Sequence, residues 1–438
     1  MYGFPRRLTM ISNKTSPLNS PERENEPLWV WVYLPGQAEP VLCGRYDRTR
    51  NEVGIVGAFT YGRSYLERED GVPLDPIILP LQTKRYETAA LDGWFSVLLD
   101  AGPDAWGRRL IDRAIGVQDE RGYLLHARGQ TVGALAFSDS RETPPARAHS
   151  TTPQTLEYTL ALHARVEAGE SLSPEESVYL LGEAGSGGVR PKLTLEDGGA
   201  LWLVKGISVK DSVELAPVPC VEAALLTLAD ACDITVPRHS VRQLDGKPVL
   251  LVERFDRSPL SGGGFGRWRY ASARSIFWSN PEVAKYSFQG SYTNLARQLR
   301  VWERSPTRSV RELYRRVVFN ALVGNTDDHD KNHGVVAGAD REFVLAPAFD
   351  LTISEKLSKR NYLALSFGTK GGEISLENLL SDCAVFGYTP AQAREIIDEQ
   401  WKTLSSRLLE TIVANGSAEA AAARTIARIP GYSILDLG

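Results

Sequence analysis

Asn325-Thr326-Asp327-Asp328-His329-Asp330-Lys331-Asn332-His333-Gly334 is the stretch on which the reading of this chain turns. It follows the apolar run Val317-Val318-Phe319-Asn320-Ala321-Leu322-Val323, so it emerges from packed structure rather than from a solvated tail. Asp327 and Asn332 stand five positions apart. A carboxylate to take a hydroxyl proton and an amide oxygen for Mg²⁺, close together in a tight loop, are what phosphoryl transfer requires. Asp350, in Pro347-Ala348-Phe349-Asp350-Leu351, follows Asn332 by eighteen residues and can fold back onto the same ion. Two other readings stand beside this one. The stretch also reads as an exposed acidic turn, since short motifs recur by chance. His329 and His333, at i and i+4, read as a zinc pair only on a continuous helix, which Asp330-Lys331-Asn332 and Gly334 oppose.

Working upstream, lysine becomes informative because it is scarce: only twelve of the fifty Lys and Arg residues are Lys. Lys205 ends the strand-like run Ala200-Leu201-Trp202-Leu203-Val204, and Glu222 lies in the helical run 221–231. A strand lysine paired with a helix glutamate holds the phosphates of ATP in protein kinases; alone, Lys205 reads equally as a side chain snorkelling from a strand end, and Glu222 as part of a solvated helix face. Gly185-Ser186-Gly187-Gly188 lets backbone N–H groups approach a phosphate, or serves as a flexible linker. It precedes a hairpin in which Asp197-Gly198 separates the alternating runs 192–195 and 201–205. Val252-Glu253-Arg254-Phe255-Asp256-Arg257 follows a strand and sits where two lobes would join. Its backbone is a candidate for adenine, and Arg254 with Asp256 for either a ligand contact or an internal ion pair.

At 438 residues, with 42% apolar and 24% charged positions, the chain has material for two or three domains. A formal charge of −4 excludes a simple basic nucleic-acid binder and a wholly disordered chain. Cys43, Cys220, Cys232 and Cys383 form no CxxC, which argues against a zinc cluster or a disulfide scaffold. No apolar run approaches the ~20 residues that span a bilayer, so no membrane association is expected, and the cytoplasm is the expected compartment. The polar, Pro-bearing stretch 1–27 reads as a disordered tail and 28–138 as a small α/β unit, with a helix opened by Pro103 and strands at 28–34, 53–59 and 131–137. Residues 139–153 read as a linker, 154–255 as a β-rich lobe with the Gly-rich loop, and 256–438 as a helical lobe carrying the 325–334 loop.

The succession Gly185–Lys192 (GSGGVRPK), Leu201–Lys205, Val221–Leu226, Val252–Arg257, 325–332 and Pro347–Leu351 resembles the HipA-type serine/threonine kinases, toxins of bacterial toxin–antitoxin pairs. Pro103–Ala114 (PDAWGRRLIDRA) looks like their N-terminal part. The resemblance implies an α+β, two-lobed protein-kinase-like fold with a small N-terminal α/β subdomain. It implies ATP and Mg²⁺ as cofactors, Asp327 as catalytic base, Asn332 and Asp350 as Mg²⁺ ligands, and Lys205 on the phosphates, positioned by Glu222. Ser186, Gly187, Gly188, Val189, Arg190 and Lys192 fall in its phosphate loop, and Glu253, Arg254 and Phe255 in its adenine hinge. His329, Asp330, Lys331 and Phe349 lie against its nucleotide. Ser186 is the only serine of GSGGVRPK, although alignment on Lys192 puts the family's self-phosphorylated serine nearer Gly185. Asp328 replaces the glycine of some members and adds charge near the metal.

The implied activity is phosphorylation of a protein substrate connected with translation, such as an aminoacyl-tRNA synthetase, with a small helix-turn-helix antitoxin as partner and DNA reached only through it. A small-molecule kinase of the aminoglycoside type is the alternative within the same chemistry; the extra 28–138 unit argues against it. A non-catalytic, nucleotide-binding corepressor is the alternative outside it. For that reading Arg300, Arg304, Arg308, Arg311, Arg315 and Arg316 are either a phosphate- or partner-binding face or a solvated helix face.

Overall fold

A computed structural model describes residues 26–430, apart from 53, 128–129, 146–149, 183–189, 280–289 and 355–361. The expected tail, but for Glu26 and Pro27, and the loop residues Ser186, Gly187, Gly188 and Val189 lie outside the described residues.

The N-terminal unit is an antiparallel sheet of β1 (Leu28–Tyr33), β2 (Pro40–Asn51), β3 (Gly54–Tyr61), β4 (Arg85–Thr88) and β5 (Leu135–Ser138), in the order β4-β3-β2-β1-β5. β2 is absent from the sequence reading because its outer half, Asp47 to Asn51, is polar and largely exposed, so it carries little apolar alternation. Gly57 is required where β3 passes beneath the loop at Gly93: a Cβ there would lie 1.7 Å from the Gly93 carbonyl oxygen. The unit also carries α1 (Arg63–Leu66), α2 (Ser96–Asp100), α3 (Ala105–Ile115) and α4 (Glu120–His126). α3 begins two residues later than Pro103, with Asp104 as its N-cap in extended conformation. The strand expected from Thr131 begins only at Leu135, because Gly133 takes a φ of 82° and breaks the extended run.

α5 (Leu156–Ala168) and α6 (Pro174–Leu181) pack on α3 around the fully buried Trp106. Ser173 and Glu176 close a capping box that starts α6 directly after the turn. The end of the expected linker is not free chain: Thr151 bridges to Leu195, adding to the edge of the next sheet.

That sheet has β6 (Lys192–Asp197), β7 (Ala200–Lys205), β8 (His239–Leu244) and β9 (Lys247–Glu253), ordered β6-β7-β9-β8. Gly198 and Gly199, at φ 60° and 74°, make the two-residue turn that fixes the β6–β7 register. α7 (Val218–Asp230) is apolar almost all round and accordingly buried. Its core is shared with the helical lobe, which holds β10 (Arg257–Pro259), β11 (Phe265–Arg267), β12 (Arg269–Ser272), α8 (Ala273–Trp278), α9 (Tyr292–Trp302), α10 (Thr307–Val323), β13 (Gly334–Ala337), β14 (Phe343–Leu345), α11 (Leu376–Ser381), α12 (Pro390–Ala414) and α13 (Glu419–Ile426). The strands β12-β13-β14 form a small sheet that ends at the 325–334 loop. All four cysteines are buried and free. No helix among the described residues is long and apolar enough to cross a membrane.

Aspartates at the junction, Asp75 and Asp256 buried and Asp100 half-buried, fasten the N-terminal unit to the rest. Asp75 accepts from Ser279 Oγ, and Asp100 accepts from Ser272 N and Oγ at 2.7 and 2.6 Å. Asp256 accepts from Gly133 N at 2.8 Å while pairing with Arg254 and Arg257. Those two arginines reach the carbonyls of Gln130, Thr131 and Gly133 in turn. Arg254 is therefore an interdomain fastener: its guanidinium lies between Asp256 and the N-terminal unit, which corrects its assignment to the nucleotide.

The arginines of α9, α10 and their connection do not make one binding face either. Arg316 is buried on Glu312 and the Ala346 carbonyl, and Arg300 and Arg311 bond the carbonyls of Val385 and Gly387. Arg315 pairs with Asp233 and Arg304 with Glu342.

Burial pushes the Asp256 carboxyl up, but Arg254 and Arg257 outweigh it and hold it well below the usual range. Such a group stabilises the fold fully above the ordinary carboxylate pKa of about 4 and loses its contribution as the pH falls below it. Asp256→Ala leaves two guanidinium groups without their buried counter-charge and is expected to cost about 3–5 kcal/mol in urea denaturation at neutral pH. The gap between variant and wild type should narrow in acid.

Candidate active site

Hairpin register is what places the first two site residues. Lys192 and Lys205 are directly paired across β6 and β7, so both ammonium groups rise from one face of the sheet. Like charges so paired repel, and two carboxylates offset this. Lys205 Nζ donates to Glu222 Oε1 of α7 at 2.5 Å and to Asp350 Oδ1 at 2.8 Å. Lys192 Nζ lies 3.8 Å from the same Asp350 oxygen. Lys192, Lys205 and Glu222 are all buried. Burial alone would push the Lys205 ammonium down; Asp350 and Glu222 overcome it and hold the pKa above the ordinary lysine value. Lys192 and Lys205 in turn hold the Asp350 carboxyl far below the usual carboxylate range. Asp350 takes a φ of 61°, a left-handed conformation that Asp tolerates better than most residues and that tends to be kept at functional positions.

The 325–334 loop faces this cluster from the helical lobe. Asp327 is exposed. Asn332 is buried and donates through Nδ2 to the Asp327 carbonyl at 3.3 Å, which leaves its Oδ1 as the acceptor atom. Thr326 bonds Ser354 Oγ through its N–H at 2.9 Å, tying this loop to the segment that carries Asp350. His329 adds a positive influence on Asp350, and Lys331 N–H donates to His329 Nδ1 at 3.3 Å. Phe349 stacks on Phe255 with ring centroids 5.6 Å apart, one ring from each side of the lobe junction. Asp104, at the start of α3, also borders the cluster: burial pushes its carboxyl up to about 6, with Lys192 and Lys331 acting against that rise.

Four further expectations are corrected. Asp330 gives both carboxylate oxygens to Arg274, at 2.8 to 3.1 Å, and braces the loop instead of facing a nucleotide. Arg190 pairs with Asp211, and the Glu253 carboxylate with Arg238; the Glu253 N–H is likewise taken, by the Arg238 carbonyl at 2.8 Å. Asp328 adds no charge to a metal position. It is buried, accepting from Tyr292 Oη and lying 3.0 Å from His333 Nε2. Asn320 Nδ2 bonds the same Tyr292 oxygen at 3.1 Å, and Asn325 Nδ2 bonds Asn320 Oδ1 at 3.1 Å. His333 is thus a buried partner of Asp328, and the zinc pairing with His329 has no support: among the described residues no cluster of three His, Cys, Asp or Glu could hold a metal.

This polar network beneath the loop escaped the sequence reading. Tyr292 lies on α9, more than thirty residues before the motif, and only folding brings it under the loop beside Asn320 of the helix that leads into it. Tyr292→Phe removes one hydrogen bond to a buried carboxylate, and a loss of about 1.5–3 kcal/mol in chemical denaturation is expected.

Comparison with known proteins follows the same division of the chain. The profile of the HipA-like C-terminal domain matches residues 184–408, and that of the HipA N-terminal domain matches 42–138. Two proteins of Sinorhizobium fredii (strain NBRC 101917 / NGR234) are named as kinases. "Putative kinase Y4dM" is 28% identical over 317 residues, 67% of this chain and 71% of that protein. "Putative kinase Y4mE" is 27% identical over 323 residues, 71% of this chain and 74% of that protein. Among solved structures, HipA of Shewanella oneidensis MR-1, in a complex with HipB and its operator DNA, superposes with a TM-score of 0.60 over 91% of this chain and 94% of its own. At 17% identity that likeness is one of fold: two lobes of protein-kinase type with an N-terminal unit. Since the matched C-terminal domain alone covers half of the sequence, the chain belongs to the HipA family.

Proposed function

We propose that this chain is an ATP- and Mg²⁺-dependent serine/threonine protein kinase. The observation that carries the reading is Lys205, held between Glu222 and Asp350 on the face of the sheet that meets the Asp327–Asn332 loop. A lysine so charged exchanges one anionic partner for another when a polyphosphate arrives, and Lys192 beside it adds a second ammonium for the same oxygens. The Phe255–Phe349 ring pair at the lobe junction receives the adenine. The donor set fits a hard divalent cation: the Asp350 carboxylate and the Asn332 amide oxygen would hold Mg²⁺, which when bound offsets the charge on the phosphate oxygens.

In the transfer, the acceptor hydroxyl oxygen bonds the γ-phosphorus as the bond to the β-phosphate oxygen breaks. ADP leaves, and the hydroxyl proton passes to the Asp327 carboxylate. Asp327 is suited to this as an exposed carboxylate on a loop anchored from below by Asp328 and from the side by Thr326 and Arg274.

The protein substrate we propose is one connected with translation, such as an aminoacyl-tRNA synthetase, and the compartment the cytoplasm. The partner is a small helix-turn-helix antitoxin that supplies the DNA contact. The HipA of Shewanella oneidensis is held in such a three-part complex with HipB and operator DNA, and a chain of net charge −4 has no basic excess of its own to offer DNA.

Labelling with ATP and Mg²⁺ tests the reading. Asp327→Asn is expected to lower transfer about 10²–10⁴-fold while ATP still raises the melting temperature. A variant that labels protein as well as the wild type overturns the assignment of the base, and label confined to small metabolites overturns the protein substrate. Lys205→Met is expected to weaken ATP about tenfold or more, read as dissociation constant by titration calorimetry.

A further inference from the structure

Away from the candidate active site, the N-terminal unit and the helical lobe border an open cleft of about 320 Å³. Pro73 and Val72 line it on one side, and Arg269, Trp302, Arg304 and Arg341 on the other. Its distinctive element is Arg269. The residue, at the head of β12, is only 7% exposed. Its Nη1 bonds the Pro73 carbonyl at 3.1 Å and its Nη2 the Arg341 carbonyl at 2.7 Å, and its guanidinium lies over the Phe343 ring at 4.6 Å. Among the described residues no carboxylate pairs with it, and its Nε–H has no hydrogen-bond partner. Burial accordingly pulls the guanidinium down to about 10. The indole N–H of Trp302, a residue of the same wall and also buried, is unpartnered too.

A buried guanidinium without a counter-charge is costly, and an unpaired buried N–H adds to the cost. The surroundings point in the same direction. Arg341 is held at a φ of 64° and bonded to the Glu69 carbonyl; Arg304 is largely exposed at the rim; and among the described residues the one carboxylate lining the cleft is Glu342, already paired with Arg304. Three guanidinium groups therefore converge on one cleft against a single carboxylate.

We propose that this interdomain cleft is a binding site for a small oxyanion, a phosphate or carboxylate group, which supplies the missing counter-charge of Arg269 and bridges the N-terminal unit to the helical lobe. The site is separate from the nucleotide cluster and does not depend on the chain being a kinase. An anion bound across two bodies stabilises the folded chain by mass action.

Thermal unfolding of the full chain tests this with sodium phosphate, sodium acetate and sodium chloride at matched ionic strength. Phosphate or acetate at roughly tenfold its dissociation constant is expected to raise the melting temperature by about 2 °C beyond chloride. A rise with phosphate alone assigns a phosphate group, and a rise with acetate alone a carboxylate. Equal melting temperatures in all three salts overturn the proposal. Because phosphate also suits the nucleotide cluster, the decisive comparison is with Arg304→Gln/Arg341→Gln, which leaves that cluster and the Arg269 contacts to Pro73 intact. The double variant is expected to lose most of the increment, with the apparent dissociation constant rising about tenfold. An increment as large as the wild type's places the anion elsewhere and overturns the site.

Discussion

Lys205 is the point on which the two lobes depend. Its ammonium joins three elements that the chain supplies far apart: the β7 strand, the α7 helix through Glu222, and the segment after β14 through Asp350. A buried lysine is tolerable only with such partners, and a left-handed aspartate is tolerable only where its surroundings hold it. Each therefore makes the other possible. Breaking either bond leaves an uncompensated charge between lobes that otherwise meet mainly through apolar packing around α7.

The N-terminal unit is joined by a different principle. Its own core is separate from that of the helical lobe, and polar contacts join them, made by the buried Asp75 and Asp256 and the half-buried Asp100 with backbone N–H groups and hydroxyls. Directional bonds of this kind set a relative orientation more narrowly than apolar contact does. Asp100, bonded to Ser272 where β12 meets β13 beside the 325–334 loop, passes that orientation to the candidate active site.

Much of this was legible in the sequence. The Asp-Gly hairpin, the apolar run of α7 and the spacing of Asp327, Asn332 and Asp350 each follow from a local rule, and the structure brings Lys205, Glu222 and Asp350 into contact. What was not legible depends on partners distant in sequence. Nothing local distinguishes Asp328, turned down onto Tyr292, from Asp327, turned out to solvent, although they are neighbours. Nor does Arg254 announce that its partners are the carbonyls of Gln130 and Thr131, more than a hundred residues earlier. Strand β2 was missed for a plainer reason: half of it faces water, and its pairing with β1 and β3 sustains it without an apolar stripe.

The seating of α7 has a consequence for control. Its N-terminal end is pinned by the Ala216 N–H bond to Thr425 Oγ1 at 2.9 Å and by Cys220 Sγ bonding the Asn415 carbonyl at 3.1 Å, and its core is continuous with residues of α12. These attachments hold the helix in place with Glu222 against Lys205. Any displacement of Glu222 from Lys205 would first have to break these attachments on the far side of α7.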